Sequence, residues 1–181
     1  MASPLTPHSF NRVRYCSDLL KYTIQVAESG EHILAVQMLY RQYFDELLHV
    51  DTSLDVFEKE IDSLPGIYAN PEGTLLLASS SIAALGCVAF KKINDEICEM
   101  KRLYIQPQFR GQGIGKSLVD KLIQAAASAG YKNMRLDTLE SLTAANKVYK
   151  HCGFQPCAPF GEESELDLLY FDLDLENTAL I

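Results

Sequence analysis

Gln108–Lys116, QFRGQGIGK, is the stretch whose reading decides the fold. An apolar run containing Leu103, Tyr104 and Ile105 enters it through Pro107, and an unbroken helical pattern leaves it, so it reads as a strand-to-helix turn. Backbone N–H groups converge where a helix begins, and such a place binds phosphate. Gly111, Gly113 and Gly115 remove the side chains that would hold a ligand off the backbone, while Arg110 and Lys116 bring positive charge. A tight turn serving only the fold is the bland alternative, but it gives two basic residues flanking three glycines no purpose.

Two nucleotide readings fail on spacing. A P-loop needs Gly-x-x-x-x-Gly-Lys-Ser/Thr; Gly115, Lys116 and Ser117 supply its end, but Arg110 stands where the first glycine must let the backbone wrap a phosphate. The dinucleotide pattern Gly-x-Gly-x-x-Gly fails because the glycines fall at 111, 113 and 115. Coenzyme A is the third reading, since its pyrophosphate takes several backbone donors and its pantetheine arm can lie along a strand edge.

Outward from the turn, the chain reads as an α/β (α+β) protein. Tyr22–Ala27 alternates as a strand, and Ile33, Val36, Tyr40, Phe44 and Leu47 recur at helical spacing up to about Leu48. A second helix starts near Thr52, whose spacing to Asp55 makes a capping box, and stops at Pro65-Gly66. Strands follow over Gly73–Ser80, over Ile82–Ile93 with Gly86 as a bulge or close-approach point, and over Glu96–Ile105 after an Asn94-Asp95 turn. Next come a helix from Gly113 to Ala129 capped by Gly130, a strand at Asn133–Leu139, a helix from Leu142 to Cys152 ended by Gly153, and a last strand at Leu166–Leu175. Residues 1–20, with Pro4 and Pro7, read as an arm; 21–176 read as one domain and 177–181 as a tail.

Composition narrows the partners. A net charge of −8 argues against a nucleic-acid backbone as the main partner, because that binding rests on clustered Lys and Arg. No apolar run reaches the ~20 residues that span a bilayer. The five cysteines are odd in number and lack zinc-type pairs, and His8, His32, His49 and His151 show no ligand spacing, so reduced thiols and no metal site are expected. These features favour a cytoplasmic protein, although Arg12 and Arg14 in an acid-free stretch resemble an organellar leader.

Arg110-Gly111-Gln112-Gly113-Ile114-Gly115 matches the Arg/Gln-x-x-Gly-x-Gly/Ala acetyl-CoA signature, and the chain resembles the GNAT superfamily of N-acetyltransferases. The preceding MKRLYIQPQF looks like that family's fourth strand. Ala144–Phe154, AANKVYKHCGF, is similar to its later helix with an Asn and a Tyr closing on Gly-Phe. The resemblance runs from about Tyr22 to Leu175. It implies a mixed, mostly antiparallel sheet of six to seven strands with about four helices, and acetyl-CoA as the acetyl-donor cosubstrate of a small-molecule primary amine.

Acetyl transfer needs a neutral nitrogen, a polarised carbonyl and a proton for the leaving thiolate. The resemblance makes Glu99 the first choice of general base, through a water, against the plainer reading of a carboxylate paired with Lys101 or Arg102. Period two places Lys101, Leu103 and Ile105 on the side of Glu99, and Cys98 on the other, which disfavours a thiol nucleophile. Asp137 is the reserve base or a substrate contact. Leu103, Tyr104 and Ile105 are expected to serve the cofactor arm and the acetyl carbonyl through their main chains. Arg110, Gly111, Gln112, Gly113, Ile114, Gly115 and Lys116 are expected at its pyrophosphate. Asn146 would hold the arm, and Tyr149, three residues on, would donate the proton to the thiolate. Tyr68 and the acidic Glu162, Glu163 and Glu165 are candidate acceptor contacts. A silent CoA-binding module is the competing class, and a monomer and a homodimer are equally open.

Overall fold

The computed structural model describes residues 21–47, 54–161 and 166–177, with side chains from 57 onward in the second of these segments. The arm at 1–20, Cys16, Thr52 of the capping box, the side chain of Asp55, Glu162, Glu163, Glu165 and the tail from 178 lie outside the described residues. The described chain runs β1 (Thr23–Val26), α1 (Gly30–Leu47), α2 (Leu54–Asp62), β2 (Thr74–Ser79), β3 (Ala84–Lys92) and β4 (Ile97–Ile105). It continues through α3 (Ile114–Ser128), β5 (Asn133–Leu139), α4 (Thr143–His151), β6 (Gln155–Pro156) and β7 (Leu168–Asp174). The strands form one sheet in the order β1-β2-β3-β4-β5-β7-β6, antiparallel throughout except for β4 beside β5.

Each sheet face is covered for a reason visible in the side chains. On one face α3 buries Ile114, Leu118, Val119, Leu122, Ile123 and Ala126 against residues such as Leu76, Val88, Phe90 and Met100. On the other, α1 buries Val36, Leu39, Tyr40 and Phe44 against Leu75, Leu77, Cys87 and Ala89. A fully buried leucine such as Leu118 or Leu39 contributes roughly 1.5–3 kcal/mol over an exposed one, so these two stripes fix the layering. The expected turn at Asn94 forms because its Oδ1 accepts from the N–H groups of Glu96 and Ile97, both at 2.9 Å.

Strand β4 breaks its own period. Lys101 pairs with Ala89 and Tyr104 with Cys87, so Arg102 and Leu103 together oppose the single residue Val88. Arg102 has φ 61°, the one positive φ outside glycine among the described residues, a conformation that costs an L-residue about 1–2 kcal/mol. This bulge corrects the period-two expectation for the strand. Glu99, Lys101, Arg102 and Tyr104 face α1 and α2, whereas Cys98, Met100, Leu103 and Ile105 face α3. Close by, a Cβ on Gly86 would lie 2.5 Å from the Tyr104 carbonyl oxygen, so the close approach expected of that glycine is present.

Candidate active site

The bulge opens the sheet. Pairing between β4 and β5 stops after Ile97–Asn133, Cys98–Met134 and Glu99–Arg135, although both strands continue, β4 to Ile105 and β5 to Leu139. The result is a gap in the sheet centre, edged by unpaired main-chain groups of two strands. The glycine turn lies at its mouth: a side chain at Gly115 would touch Ile105 of β4 at 3.7 Å and Val148 of α4 at 3.9 Å.

The turn itself is a set of unused donors. Gly113 caps α3 with φ 82° and no side-chain cap, and the first N–H bonded back to the turn is that of Ser117, to the Gly113 carbonyl at 3.0 Å. The N–H groups from Gly111 to Lys116 have no partner among the described residues, which leaves them for an anion at the positive end of a helix. The two basic residues are engaged elsewhere. Arg110 gives Nε to the Ile105 carbonyl at 2.8 Å and Nη2 to Glu46 at 2.7 Å, with its guanidinium over the Tyr104 ring. Lys116 pairs with Asp120 at 2.6 Å. Both pairs are half exposed to water, so either cation can exchange its carboxylate for a phosphate at small cost. The Gln112 side chain reaches the Gln108 carbonyl at 3.4 Å, and the Ile114 side chain is buried in the core.

Across the gap, α4 presents the two residues expected of it. Asn146 donates from Nδ2 to the carbonyls of Leu139 and Glu140, each at 3.2 Å, tying α4 to the end of β5. Its Oδ1 is buried without a partner. A buried acceptor left empty costs on the order of 1–3 kcal/mol, so this oxygen is set for a donor that the chain itself does not supply. Tyr149 packs its ring against Phe154 and Phe171. Burial pushes its phenol well above the ordinary tyrosine range, and the nearby Tyr43 and Asp137 add to the rise, so it stays protonated.

The face towards α1 and α2 carries a charged row. Glu99, 9 % exposed, holds Lys101 at 2.6 Å and Lys91 at 3.1 Å, and Lys101 also binds Asp137 at 2.5 Å. Burial alone would raise the Asp137 carboxyl, but the Lys101 charge and hydrogen bond outweigh it and hold the group below its usual range. The pairing expected as the plainer reading of Glu99 is therefore present, and the same contacts place both carboxylates beside the gap. Burial takes the Cys98 thiol to about 12, and its side chain faces away, as expected.

Two features here were not foreseen. Tyr43 of α1 lies in the electrostatic field of Arg102, Asp137, Lys101 and Tyr149; the sequence reading passed over it because it sits at the border of the apolar stripe. Arg102 forms a two-pronged pair with Glu60 of α2 at 2.9 and 2.6 Å, its guanidinium beside the stacked rings of Phe44 and Phe57. The polar-apolar-polar-polar-apolar order Glu99-Met100-Lys101-Arg102-Leu103 was the available signal, because it slips the strand period at the bulge. Tyr68, read as an acceptor contact, is 2 % exposed in the core under α1, and its hydroxyl donates to Glu60 at 2.6 Å. Its bearing on the site runs through Glu60.

Among the described residues no group of three His, Cys, Asp or Glu side chains is placed to hold a metal, and no helix is long and apolar enough to cross a membrane. Cys87, Cys98, Cys152 and Cys157 are free thiols.

A split sheet with a donor-rich helix start at the split and a buried Asn and Tyr on the next helix defines the class of acyl-transfer folds. The acetyltransferase (GNAT) family profile matches residues 33–154, and the chain belongs to that family. It is an acyltransferase. An uncharacterized N-acetyltransferase of Schizosaccharomyces pombe is 34 % identical over 141 residues, 77 % of this chain and 86 % of that one. Another, of Dictyostelium discoideum, is 30 % identical over 198 residues, 76 % and 91 % of the two chains. The PaiA N-acetyltransferase of Thermoplasma acidophilum, solved with coenzyme A, shares the fold at TM-score 0.67 and 18 % identity over 85 % of this chain and 99 % of that one.

Proposed function

We propose that the protein transfers an acetyl group from acetyl-CoA to the primary amine of a small molecule, by direct attack within a ternary complex. The observation that carries the donor is the coincidence, at one gap, of six unpartnered N–H groups from Gly111 to Lys116 and the orphaned Asn146 Oδ1. The first suit a pyrophosphate, and the second suits an amide N–H of the pantetheine arm lying between β4 and β5. Arg110 and Lys116 would turn from Glu46 and Asp120 to the phosphates. The coenzyme A in the Thermoplasma structure supports the same assignment here.

The chemistry then follows from the residues around the gap. The acceptor nitrogen forms the new C–N bond at the thioester carbonyl as the C–S bond breaks. Glu99, through a water, takes the proton that the nitrogen loses, and Tyr149 gives a proton to the departing thiolate sulfur. Return of the Glu99 proton through solvent to the Tyr149 phenolate restores both groups. Main-chain groups from Leu103 to Ile105 hold the arm and polarise the carbonyl. Lys91 and Lys101 hold Glu99 in place, and Asp137, with Tyr43 opposite, borders the space for the acceptor. Cys87, the thiol that faces α1 among the described residues, is fully buried and burial pushes it up, which favours direct transfer over an acetyl-enzyme.

Calorimetry separates this reading from nucleotide binding and from a catalytically silent module. Coenzyme A is expected to bind with one site per chain and to be insensitive to Mg²⁺. Preference for ATP with Mg²⁺ would contradict the assignment. Initial rates with both substrates varied are expected to intersect; a parallel pattern would show an acetyl-enzyme and overturn direct transfer.

A further inference from the structure

Arg102 is an unusual place to find a bulge. An L-residue at φ 61° inside a nine-residue strand does not hold that conformation by itself, and glycine is the residue that would. The contacts of the Arg102 side chain hold it. The guanidinium reaches α2, where Glu60 takes it with both oxygens at 2.9 and 2.6 Å, and the stacked rings of Phe44 and Phe57 lie against it with centroids 5.3 and 5.0 Å away. Tyr68 fixes Glu60 in turn, at 2.6 Å, and the Cys87 thiol donates weakly to the Arg102 carbonyl at 3.9 Å. The side chains of Arg102 and Glu60 are 20 % and 12 % exposed, so the pair is sheltered from water. The clamping side chains lie on the α1 and α2 side of β4.

The bulge they hold is what turns β4 away from β5. Pairing between the two strands ends at Glu99, three residues before Arg102, and the next residue, Leu103, begins the segment whose main chain borders the gap. We propose that Arg102 is a positioning residue for acetyl transfer: clamped by Glu60, Phe44 and Phe57, it imposes the bulge that aims the Leu103–Ile105 main chain at the thioester carbonyl. The role is held by the side chain from a distance, through the backbone it forces into shape. The inference rests on acetyl-CoA occupying the gap and is independent of which amine is acetylated.

The test uses the one residue that adopts φ 61° without a clamp. The readout is the infrared carbonyl frequency of acetyl-CoA, labelled with carbon-13 in its acetyl group and bound to the full chain, together with kcat on an accepted amine. Wild type is expected to shift the bound carbonyl to lower frequency than in solution. Arg102→Ala, which loses the clamp and keeps a Cβ, should lose that shift and fall ~10²-fold in kcat, the scale of a lost carbonyl-binding donor. Arg102→Gly should keep the shift and stay within ~3-fold of wild type, since the bulge then needs no clamp. Glu60→Gln should behave like Arg102→Ala, and adding Arg102→Gly to it should restore the shift, a contrast that holds even if the alanine variant does not fold. Arg102→Ala with an unchanged carbonyl frequency, glycine no better than alanine, or an unshifted carbonyl in wild type would each overturn the proposal. A shifted carbonyl without turnover on any amine would sink the acceptor reading and leave the clamp standing.

Discussion

Burial, with Tyr43 and Asp137 adding to it, keeps the Tyr149 phenol protonated, which suits the acid role proposed for it. The phenol is raised because the charged form is poorly solvated beside Phe154, Phe171 and the α3 core, so at any working pH it carries a proton to give. Its folded value lies above the unfolded one, near 10, so no falling limb below about pH 10 should trace to it. Tyr149→Phe is expected to lower kcat by ~10²-fold while coenzyme A affinity, read by calorimetry, moves by less than ~3-fold. Equal losses in both would make it a packing residue. Glu99, held by Lys91 and Lys101, is the proposed base. Glu99→Gln should lose most activity at neutral pH and recover part of it as pH rises towards the amine's own pKa, where the acceptor deprotonates unaided. A pH–rate profile of unchanged shape would remove Glu99 from the reaction.

At the scale of elements, the tie between α2 and β4 has a pH signature. Burial would raise the Glu60 carboxyl, but the Arg102 hydrogen bonds and charge, with the Tyr68 hydroxyl, bring it below its usual range. A depressed folded value means that the stabilisation is complete above the unfolded pKa, about 4.3, and is lost as pH falls through the folded one. Wild type should therefore be roughly 3 kcal/mol more stable than Glu60→Gln near neutral pH, the scale of a broken buried pair, and the difference should narrow progressively as pH falls below about 4. Urea melts from pH 7 to pH 3 measure it; a constant difference would mean that the pair does not carry the tie. The elements themselves were legible in the sequence, because α1 and α3 repeat their apolar residues at helical spacing and Gly130 and Gly153 mark helix ends with φ 93° and 96°. The side-chain phase of β4 was not. A bulge needs only one extra residue, and a period counted across Lys101-Arg102 puts Leu103 and Ile105 on the wrong face. The two-residue β6 was also missed, since so short a strand has no period to read.

For the whole molecule, the donor side was readable and the acceptor side was not. The glycine turn, Asn146 and Tyr149 are close in sequence to the elements that place them, and local pattern found them. Arg102, Glu60, Tyr43 and Tyr68 meet only after α1 and α2 fold across β4, through contacts such as Glu60–Arg102, 42 residues apart, which no local spacing reveals. The central claim is acetyl transfer to an amine, and a thiol-release assay with acetyl-CoA against a panel of amino acids, polyamines, arylalkylamines and peptide N-termini tests it most directly. The account predicts that one class of amine raises coenzyme A release well above background, with an equal quantity of N-acetylated product detected by mass spectrometry. Coenzyme A binding accompanied by no amine-dependent release, or release without an acetylated amine, would contradict it.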